Sequence, residues 1–392
     1  MISVIMPVHN AGRYIRQAIT SILEQTEKEL ELIIVNDGST DNSEEIIFSI
    51  EDQRIKYFKQ EKAGAASARN FGIDMAKGSF IALQDADDIS LPGRLEILKR
   101  QFICESVGLV HSDVMLIDEN DSPIGYFVNR NIERKRAVRY FFKTGTPVCG
   151  GSMMVRREVF KNLRYDKTLI IGEDNDLLLQ ICRDWVTVHV PEPLYLYRRN
   201  YSSTSYRAYD YTTYYSYIRK ILRVYSLEEL FPEIGWNKEE DLDCQAKALA
   251  IASVIMFRRG LVNEAKELIL SAFALVETGK SVNNQNTRKF LLGTFSLLTG
   301  NYDGAILIYN SCGNTDHLIE NYLGECYALK GDIGEAQRHF LKALVIHADY
   351  DDAIDNLRAI AGKTSEYCMG DNTWQKFHRM YNVNQMKSML EQ

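Results

Sequence analysis

The first hundred residues alternate short apolar runs with segments in which apolar residues recur every three or four positions. The runs at residues 2–6, 32–35, 79–84 and 109–117 predict strands, with a weaker one at 54–60, whereas the spacing of Ile15, Ile19 and Ile22 predicts a helix. Similar stripes predict helices at 65–76 and 91–105. This alternation predicts an α/β fold, a mostly parallel sheet flanked by helices with right-handed crossovers.

Polar clusters follow three of the predicted strands directly. They are Pro7-Val8-His9-Asn10, Asn36-Asp37-Gly38 and Asp85-Ala86-Asp87-Asp88. Any one of them is explained equally well as a turn or a helix cap. The carboxyl ends of parallel strands share one edge of the sheet, so the three clusters should converge, and together they favour a ligand crevice.

The last of these clusters carries two carboxylates at alternating positions, Asp85 and Asp87. In extended backbone both side chains point to the same side. Like charges this close repel unless a positive charge compensates them. A hard divalent cation that also holds a diphosphate fits, because such ions take oxygen ligands and usually reach the protein through one or two carboxylates.

The pattern changes after about residue 205. A Tyr-rich amphipathic segment at 206–230 leads into a region without a strand signal, where a glycine precedes an alanine by five residues three times: Gly260/Ala265, Gly300/Ala305 and Gly331/Ala336. The copies are spaced by 40 and 31 residues, on either side of the repeat length of about 34 residues in tetratricopeptide repeats. The pattern therefore predicts tetratricopeptide-like repeats, and an irregular helical bundle with glycine caps is the alternative. The predicted organisation is a catalytic domain at 1–205, a helical linker at 206–234 and a helical-repeat domain at 235–392.

Composition narrows the class of protein. The chain has 392 residues, 45% of them hydrophobic and 25% charged, which indicates an ordinary soluble protein of two domains. A net charge of −7 argues against nucleic acid as the main partner. Seven scattered cysteines without a CxxC pair indicate reduced thiols, and the absence of a signal-peptide pattern or a long apolar run predicts a cytoplasmic protein, with association at the inner membrane face left open.

Together these motifs resemble the inverting nucleotide-sugar glycosyltransferases of family 2, which have the GT-A fold. The matching segments run in the family's order across about the first 205 residues: the three clusters above, Gly64-Ala65-Ala66-Ser67-Ala68-Arg69-Asn70, Pro92 with Arg94, Gly172-Glu173-Asp174-Asn175-Asp176 and Tyr197-Arg198-Arg199.

The resemblance implies a role for individual residues. Asp87 would bind a divalent metal, Mn²⁺ or Mg²⁺, and Arg198 or Arg199 would clamp the diphosphate. Asp174 is the expected base and Glu173 the second choice, although first-turn acids also simply favour the helix dipole. Two neighbouring acids are expected outside these roles on structural grounds: Asp88 can bind backbone N–H groups that lead into the next helix. Asp176 points away from Asp174 in a regular helix and is expected to be a solvated charge or a support. The nucleotide would be bound by Pro7, His9, Asn10, Asp37, Gly64, Arg69, Gln84, Asp85 and Ala86.

The expected activity is metal-dependent transfer of a sugar from a nucleoside-diphosphate sugar, a UDP-sugar first, to a hydroxyl of a glycan or lipid-linked glycan in surface polysaccharide synthesis. Two alternatives stay open: a protein or peptide acceptor held by the helical repeats, and a decayed enzyme that binds or scaffolds. The repeats could equally form a homodimer. A dinucleotide-dependent oxidoreductase or a P-loop nucleotidase is excluded, because no G-x-G-x-x-G follows the first strand and no G-K-[ST] is present.

Overall fold

The computed structural model describes residues 1–127, 129, 131, 133–146, 148–199, 216–237, 241–278, 284–313 and 316–364. The chain divides into two compact units, Met1–Tyr225 and Ser226–Gln392. The first unit is α/β and the second is helical, which confirms the predicted fold class. The predicted domain bounds stay predictions, and residues 206–215 of the Tyr-rich segment lie outside the described ranges. Among the described residues, no helix combines the length and the hydropathy needed to cross a bilayer.

The strands of the first unit are β1 (Ile2–Val8), β2 (Leu30–Asp37), β3 (Ile55–Gln60), β4 (Phe80–Leu83), β5 (Ile89–Ser90), β6 (Val107–Ile117), β7 (Pro123–Phe127), β8 (Met153–Arg156) and β9 (Val186–Arg198). They form one sheet in the order β3-β2-β1-β4-β8-β6-β9-β5, with β7 paired to β6. The first four in this order are parallel. Beyond them, β8 is antiparallel to both β4 and β6, so the sheet as a whole is mixed.

Helices cover both faces of the parallel strands. The helices of this unit are α1 (Ile15–Leu23), α2 (Ser43–Phe48), α3 (Ala65–Met75), α4 (Arg94–Arg100), α5 (Ala137–Thr144), α6 (Glu173–Asp184) and α7 (Ser216–Val224). Buried residues of α1 share a core with Val4 and Met6 on one face of β1. On the other face α3 approaches so closely that a Cβ at Gly72 would lie 2.5 Å from Ile5. Strands that are buried on both faces have continuous apolar runs in their sequences, as the parallel strands do here.

The register of the parallel strands brings the polar clusters together. Val8 pairs with Asn36, Asp37 pairs with Gln60, and Ile5 pairs with Leu83. The turns that follow β1, β2 and β4 therefore leave the sheet at the same edge. The helix predicted at 91–105 is shorter than expected: α4 spans Arg94–Arg100, and Ile103, beyond its end, is 82% exposed.

The second unit contains, within its described residues, α8 (Leu227–Leu230), α9 (Asp241–Arg258), α10 (Val262–Thr278), α11 (Asn284–Leu298), α12 (Tyr302–Asn310), α13 (His317–Lys330), α14 (Ile333–Ile346) and α15 (Asp351–Thr364). The glycines of the Gly–Ala pattern lie in the turns between α9 and α10, α11 and α12, and α13 and α14, all with positive φ. Such a conformation ends a helix at little cost only when the residue has no Cβ. The alanines five residues later are fully buried.

The last two of these helix pairs share a second feature. A Cβ at Gly293 of α11 would lie 2.5 Å from Tyr309 of α12, and a Cβ at Gly324 of α13 would lie 2.5 Å from Phe340 of α14. In both pairs a large ring on the second helix packs directly on a glycine of the first. The helical hairpins repeat the same packing, and their assignment to the tetratricopeptide class stays a prediction.

A buried histidine in the sheet links folding to pH. His111 of β6 lies opposite His189 of β9, with ring centroids 5.1 Å apart and nearly parallel. Its Nε2 is 3.3 Å from Oδ1 of Asn131. Burial, reinforced by the positive charge that His189 can carry, lowers the pKa of His111 to about 3.

We predict that His111→Gln reduces the loss of stability on acidification. In the unfolded chain a histidine binds a proton at about pH 6.5, whereas folded His111 stays neutral down to about pH 3, so lowering the pH from 7 to 5 favours unfolding. The wild-type free energy of unfolding should fall by about 2 kcal/mol more than that of the variant over this interval. Urea titrations at both pH values measure this difference. Between pH 7 and pH 8, where the unfolded histidine is mostly neutral, the two proteins should differ by only about 0.1 kcal/mol. Equal acid losses in both proteins would contradict the prediction.

Candidate active site

The ends of β1 and β2 are tied together by His9 and Asn10. His9 Nδ1 lies 2.8 Å from the carbonyl of Asp37 and must donate to it, because a carbonyl only accepts. Asn10 has a φ of 53°, and its Oδ1 accepts from the N–H of Thr40 at 2.8 Å. Pro7 pairs with Val35 within the strands just before these turns. Pro7, His9 and Asn10, which are expected to bind the nucleotide, thus lie along one continuous edge.

Asp37 organises the loop that leads into α3. Its carboxylate accepts from the side chain of Gln60 at 2.7 Å, from the N–H of Ala63 at 2.7 Å and from the N–H of Gly64 at 2.9 Å. Gly64 has a φ of 91°, which a residue with a Cβ rarely adopts, and α3 begins at the next residue. A carboxylate accepts about four hydrogen bonds, so Asp37 can take one more from a ligand.

The turn after β4 is held from beneath by Gln84. Its Nε2 donates to the carbonyls of Asp85 and Asp88, both at 3.0 Å, and its side chain is completely buried. The hydroxyl of Tyr195 accepts from the N–H of Asp85 at 3.1 Å. All three hydrogen bonds are formed with backbone groups of the turn. The structure therefore does not bring the Gln84 side chain, expected at the nucleotide, to the open edge, and Ala86, which lies in the turn itself, is also buried.

Arg198 supports the same turn. Its Nε donates to the carbonyl of Asp87 at 2.7 Å, and its own N–H donates to Oδ1 of Asp88 at 2.7 Å. The backbone partner expected for Asp88 is thus a residue of β9 and not of the following helix. The rest of the Arg198 guanidinium is bonded to Asp118, Asp121 and Gln17, and the side chain is 0% exposed.

The structure therefore does not place Arg198 where it would clamp a diphosphate. The guanidinium of Arg199 lies 5.3 Å from the ring centre of Tyr197, and the backbone N–H of Arg199 donates to Ile117 at 2.8 Å. Arg199 is half-buried, in contrast to its neighbour. The diphosphate role stays a prediction for Arg199.

Arg69 joins the two halves of the site. One guanidinium nitrogen lies 2.8 Å from Oε1 of Glu173, and the other lies 3.2 Å from Oδ1 of Asp85. Its Cζ lies 5.4 Å from the centre of the Tyr165 ring. Burial by itself would lower the pKa of Arg69, but the neighbouring Asp85 and Glu173 charges hold it above its ordinary value. This single cation links the end of β4 to the start of α6.

The expected base lies beside this ion pair. Gly172, with a φ of 84°, precedes α6, whose first residues are Glu173 and Asp174. Glu173 takes the hydrogen bond of Arg69, whereas Oδ1 of Asp174 accepts from the N–H of Asn175 at 2.8 Å. A Cβ at Gly150 would lie 3.8 Å from Oδ2 of Asp174. Burial, together with the Asp174 charge, raises the pKa of Glu173.

Asp176 proves to be a support. Its Oδ2 lies 2.9 Å from Nζ of Lys220 on α7, and its side chain is 9% exposed. Two alternatives were expected for this residue, a solvated charge or a support, and the buried ion pair agrees with the second. The ion pair joins α6 to α7 next to the expected base.

The carboxylates after β4 fit a divalent cation. Burial, and next the negative charge of Asp85, raise the pKa of Asp87 to about 6. A carboxylate whose charge is opposed by its surroundings is one that a cation would stabilise. Within the described residues, no group of three or more His, Cys, Asp or Glu side chains converges as a metal cage. Magnesium-type ions commonly use one or two carboxylates and the phosphates of their substrate instead.

Arg94 has a structural role that the sequence did not reveal. Its guanidinium donates to the carbonyls of Leu83 at 2.8 Å and Gly151 at 2.6 Å, and to Oγ of Ser90 at 2.7 Å, and the side chain is 0% exposed. It thereby connects the end of β4 to the segment that faces Asp174. In the sequence, Arg94 lies two residues after Pro92, and the pair contributes to the family resemblance. That pattern assigns Arg94 no function.

Tyr195 completes this support. The Arg94 guanidinium lies 4.9 Å from the centre of its ring. A Cβ at Gly151 would lie 2.4 Å from the Tyr195 hydroxyl, so only glycine fits there. Arg94, Tyr195 and Gly151 form a buried layer beneath the Asp85–Asp88 turn.

Comparisons with known proteins agree on one family. Residues 3–164 match the family described as Glycosyl transferase family 2. The glycosyltransferase GlyG of Streptococcus pneumoniae is 30% identical over 240 residues, which cover 58% of this chain and 78% of that protein. An uncharacterized glycosyltransferase of Methanocaldococcus jannaschii is 36% identical over 208 residues, which cover 50% of this chain and 70% of that protein.

A solved structure of S. aureus TarS 1-349 in complex with UDP is similar with a TM-score of 0.46 and 16% identity, over 89% of this chain and 92% of that one.

We predict that Arg94→Met lowers the free energy of unfolding by about 3–5 kcal/mol, because buried carbonyls lose their donor. Arg94→Lys should recover part of the loss, since an ammonium group can satisfy some of these acceptors. Urea denaturation measures both. Arg100→Met on the same helix is the control: its side chain is 70% exposed, and the change should stay within about 0.5 kcal/mol. Equal stability of the Arg94→Met and Arg100→Met proteins would contradict the role given to Arg94.

Proposed function

We propose that this chain, which belongs to glycosyltransferase family 2, transfers a sugar with inversion from a nucleoside-diphosphate sugar to a hydroxyl of a glycan or lipid-linked glycan. A UDP-sugar is the proposed donor, and surface polysaccharide synthesis is the proposed role. We place the reaction in the cytoplasm, where unpaired cysteines persist. The enzyme class follows from family membership, whereas the donor, the acceptor and the metal are proposals.

The observation that carries this proposal is the bridge of Arg69 between Asp85 and Glu173. It places an acidic turn suited to a metal–diphosphate group next to the helix that begins with an acidic pair. A transferase needs these two functions side by side, because the leaving group and the attacking hydroxyl meet at one carbon. The leaving group is expected at Asp85 and Asp87, and the attacking hydroxyl at Asp174.

On the donor side, Asp87 would hold a divalent metal, Mn²⁺ or Mg²⁺, together with the diphosphate. Such a metal, when bound, neutralises the charge that develops on the leaving oxygens. Asp37 would accept a hydrogen bond from the nucleoside with its remaining lone pair. His9, whose Nδ1–H is held by the carbonyl of Asp37, presents Nε2 as an acceptor when the ring is neutral.

On the acceptor side, Asp174 would take the proton of the attacking hydroxyl. The new bond forms between that oxygen and the anomeric carbon, and the bond from this carbon to the diphosphate oxygen breaks, so the electron pair leaves with the nucleoside diphosphate. Asp174 suits this role better than Glu173 because the Arg69 hydrogen bond is already given to Glu173. The positive charge of Arg69 stabilises the ionised form of Glu173 and so opposes the uptake of a proton by that carboxylate.

We predict that Asp174→Asn and Glu173→Gln fail in different ways. Asp174→Asn should lower kcat by about 10²–10⁴-fold, the usual contribution of a general base, with the affinity for UDP unchanged. Glu173→Gln removes one partner of Arg69 and should weaken UDP binding instead. Release of UDP from a panel of UDP-sugars, with calorimetric titration of UDP, measures both.

In this test a large loss of UDP affinity in the Asp174→Asn protein would contradict its assignment as the base. If Glu173→Gln abolished turnover while Asp174→Asn did not, the base would be Glu173.

We predict that UDP binding depends on a divalent metal through Asp87. Calorimetry should show about tenfold tighter UDP binding, or more, with Mn²⁺ than with a chelator, and Asp87→Asn should remove this difference. Asp88→Asn is the matched control, because burial holds the pKa of Asp88 well above its ordinary value and its Oδ1 accepts a backbone N–H that an amide oxygen also accepts. Tight UDP binding that is indifferent to the metal would contradict the metal role.

A further inference from the structure

Tyr165 is held in place by the side chain of Asn70, 95 positions earlier in the chain. Oδ1 of Asn70 accepts from the backbone N–H of Tyr165 at 3.0 Å, and Nδ2 of Asn70 donates to the carbonyl of Tyr165 at 2.9 Å. Asn70 is 6% exposed and Tyr165 is 2% exposed. Because breaking either bond would leave a buried polar group without a partner, the amide of Asn70 fixes the backbone of Tyr165.

The residue after Tyr165 ties the same segment to α6. Oδ2 of Asp166 lies 2.7 Å from Nζ of Lys220, which also lies 2.9 Å from Oδ2 of Asp176 on that helix. The segment is therefore attached to α3 at one residue and to α6 through the next. These are the same two helices that the bridge of Arg69 connects.

The ring of Tyr165 contacts the cation of that bridge. Cζ of Arg69 lies over the ring, 5.4 Å from its centre, within the range of about 6 Å in which an aromatic ring attracts a guanidinium group. The Arg69 side chain is 14% exposed, and this attraction is stronger when the groups are removed from water. Arg69 and Asn70 are consecutive residues of α3, so the helix that carries the guanidinium also fixes the ring that contacts it.

The hydroxyl group of Tyr165 takes no part in these contacts. It is buried, and it has no hydrogen-bond partner within the part of the chain that the structure describes. Burial, opposed in part by the charge of Arg69, raises the pKa of this phenol above its ordinary value, so the group stays neutral. Phenylalanine at this position would therefore keep the ring and lose no hydrogen bond to a described residue.

We propose that Tyr165 is a positioning residue that acts through Arg69. Its ring, fixed by Asn70, holds the guanidinium where one end reaches Asp85 and the other reaches Glu173. An arginine side chain loses rotamer entropy when it is confined to one conformation, and the contact with a fixed ring offsets part of that loss. Tyr165 thereby helps to set the distance between the donor turn and the base helix. The inference rests on the proposed function, because it takes the bridge as part of a transferase site.

The test compares Tyr165→Leu, which removes the ring, with Tyr165→Phe, which keeps it. Tyr165→Leu should lower kcat/KM for the release of UDP from the best UDP-sugar of a panel by about tenfold, the size of one desolvated cation–π contact. Tyr165→Phe should stay within about threefold of wild type. Phe160→Leu is the matched control, because it removes a ring of equal burial five positions earlier, and it should leave kcat/KM unchanged. Urea titration establishes that each variant is folded under the assay conditions.

NMR of the guanidinium groups follows the effect on Arg69 and does not depend on turnover. The Nε–H signal of Arg69 is assigned by its absence from the Arg69→Lys protein. Wild type and Tyr165→Phe should show the shift that a nearby aromatic ring causes in this signal. In Tyr165→Leu the signal should move towards the ordinary arginine position, whereas in Phe160→Leu it should stay in place.

The outcomes separate this inference from the proposed function. Equal kcat/KM of Tyr165→Leu and wild type overturns the inference, and so does an Arg69 signal that is the same in both proteins. A loss in Tyr165→Phe as large as that in Tyr165→Leu also overturns it, because the hydroxyl group would then be the acting group. A wild-type protein that releases no UDP from any UDP-sugar would instead contradict the proposed function, and the Arg69 signals would still measure the contact with Tyr165.

Discussion

The site depends on one positive charge placed among several negative ones. Asp85 and Glu173 come from segments 88 positions apart in the chain, and each would repel the other and the neighbouring Asp87 and Asp174 without compensation. Arg69 lies between the first two at 3.2 and 2.8 Å. Because removing one partner of a buried ion pair leaves an uncompensated charge, the arrangement holds together only as a unit. The same guanidinium stabilises the ionised form of Glu173, which is the reason we propose Asp174 as the base.

A buried polar layer beneath the site holds its acidic turn in place. Gln84, Arg94 and Arg198 are each at most 1% exposed, and their donors go largely to backbone carbonyls of the turn and of the segment facing Asp174. Breaking a hydrogen bond in such a buried layer is costly, because it leaves an unsatisfied polar group away from water. This layer explains why residues that match the family's motifs need not touch a ligand: Gln84 and Arg198 fix the shape on which Asp85 and Asp87 are presented.

Much of the fold could be predicted from local pattern. Continuous apolar runs indicated the strands of the parallel half, and the Gly–Ala spacing indicated helix pairs, since a helix end with positive φ and a close helix contact each require a small residue at a fixed position. The antiparallel strand β8 between β4 and β6 was not predicted, because pairing partners and direction are set by the path of the chain and not by the strand's own residues. The helix predicted at 91–105 extended beyond the observed end at Arg100. Periodicity indicates a possible apolar face, but it does not show whether other segments pack against that face.

By itself the sequence determined which residues carry charge at strand ends, where glycines end helices, and that His9, Asp37, Asp85 and Asp87 would gather at one edge. Only the tertiary structure decided what each polar side chain faces: Arg198 is buried under the turn, Arg94 spans two segments, and Lys220 joins Asp166 to Asp176. The physical reason is range. Burial of a strand or helix face is encoded within a few residues. The hydrogen-bond partners of Lys220 and Arg198, in contrast, include Asp176 and Asp87, which lie 44 and 111 positions away, and such contacts depend on how distant segments pack.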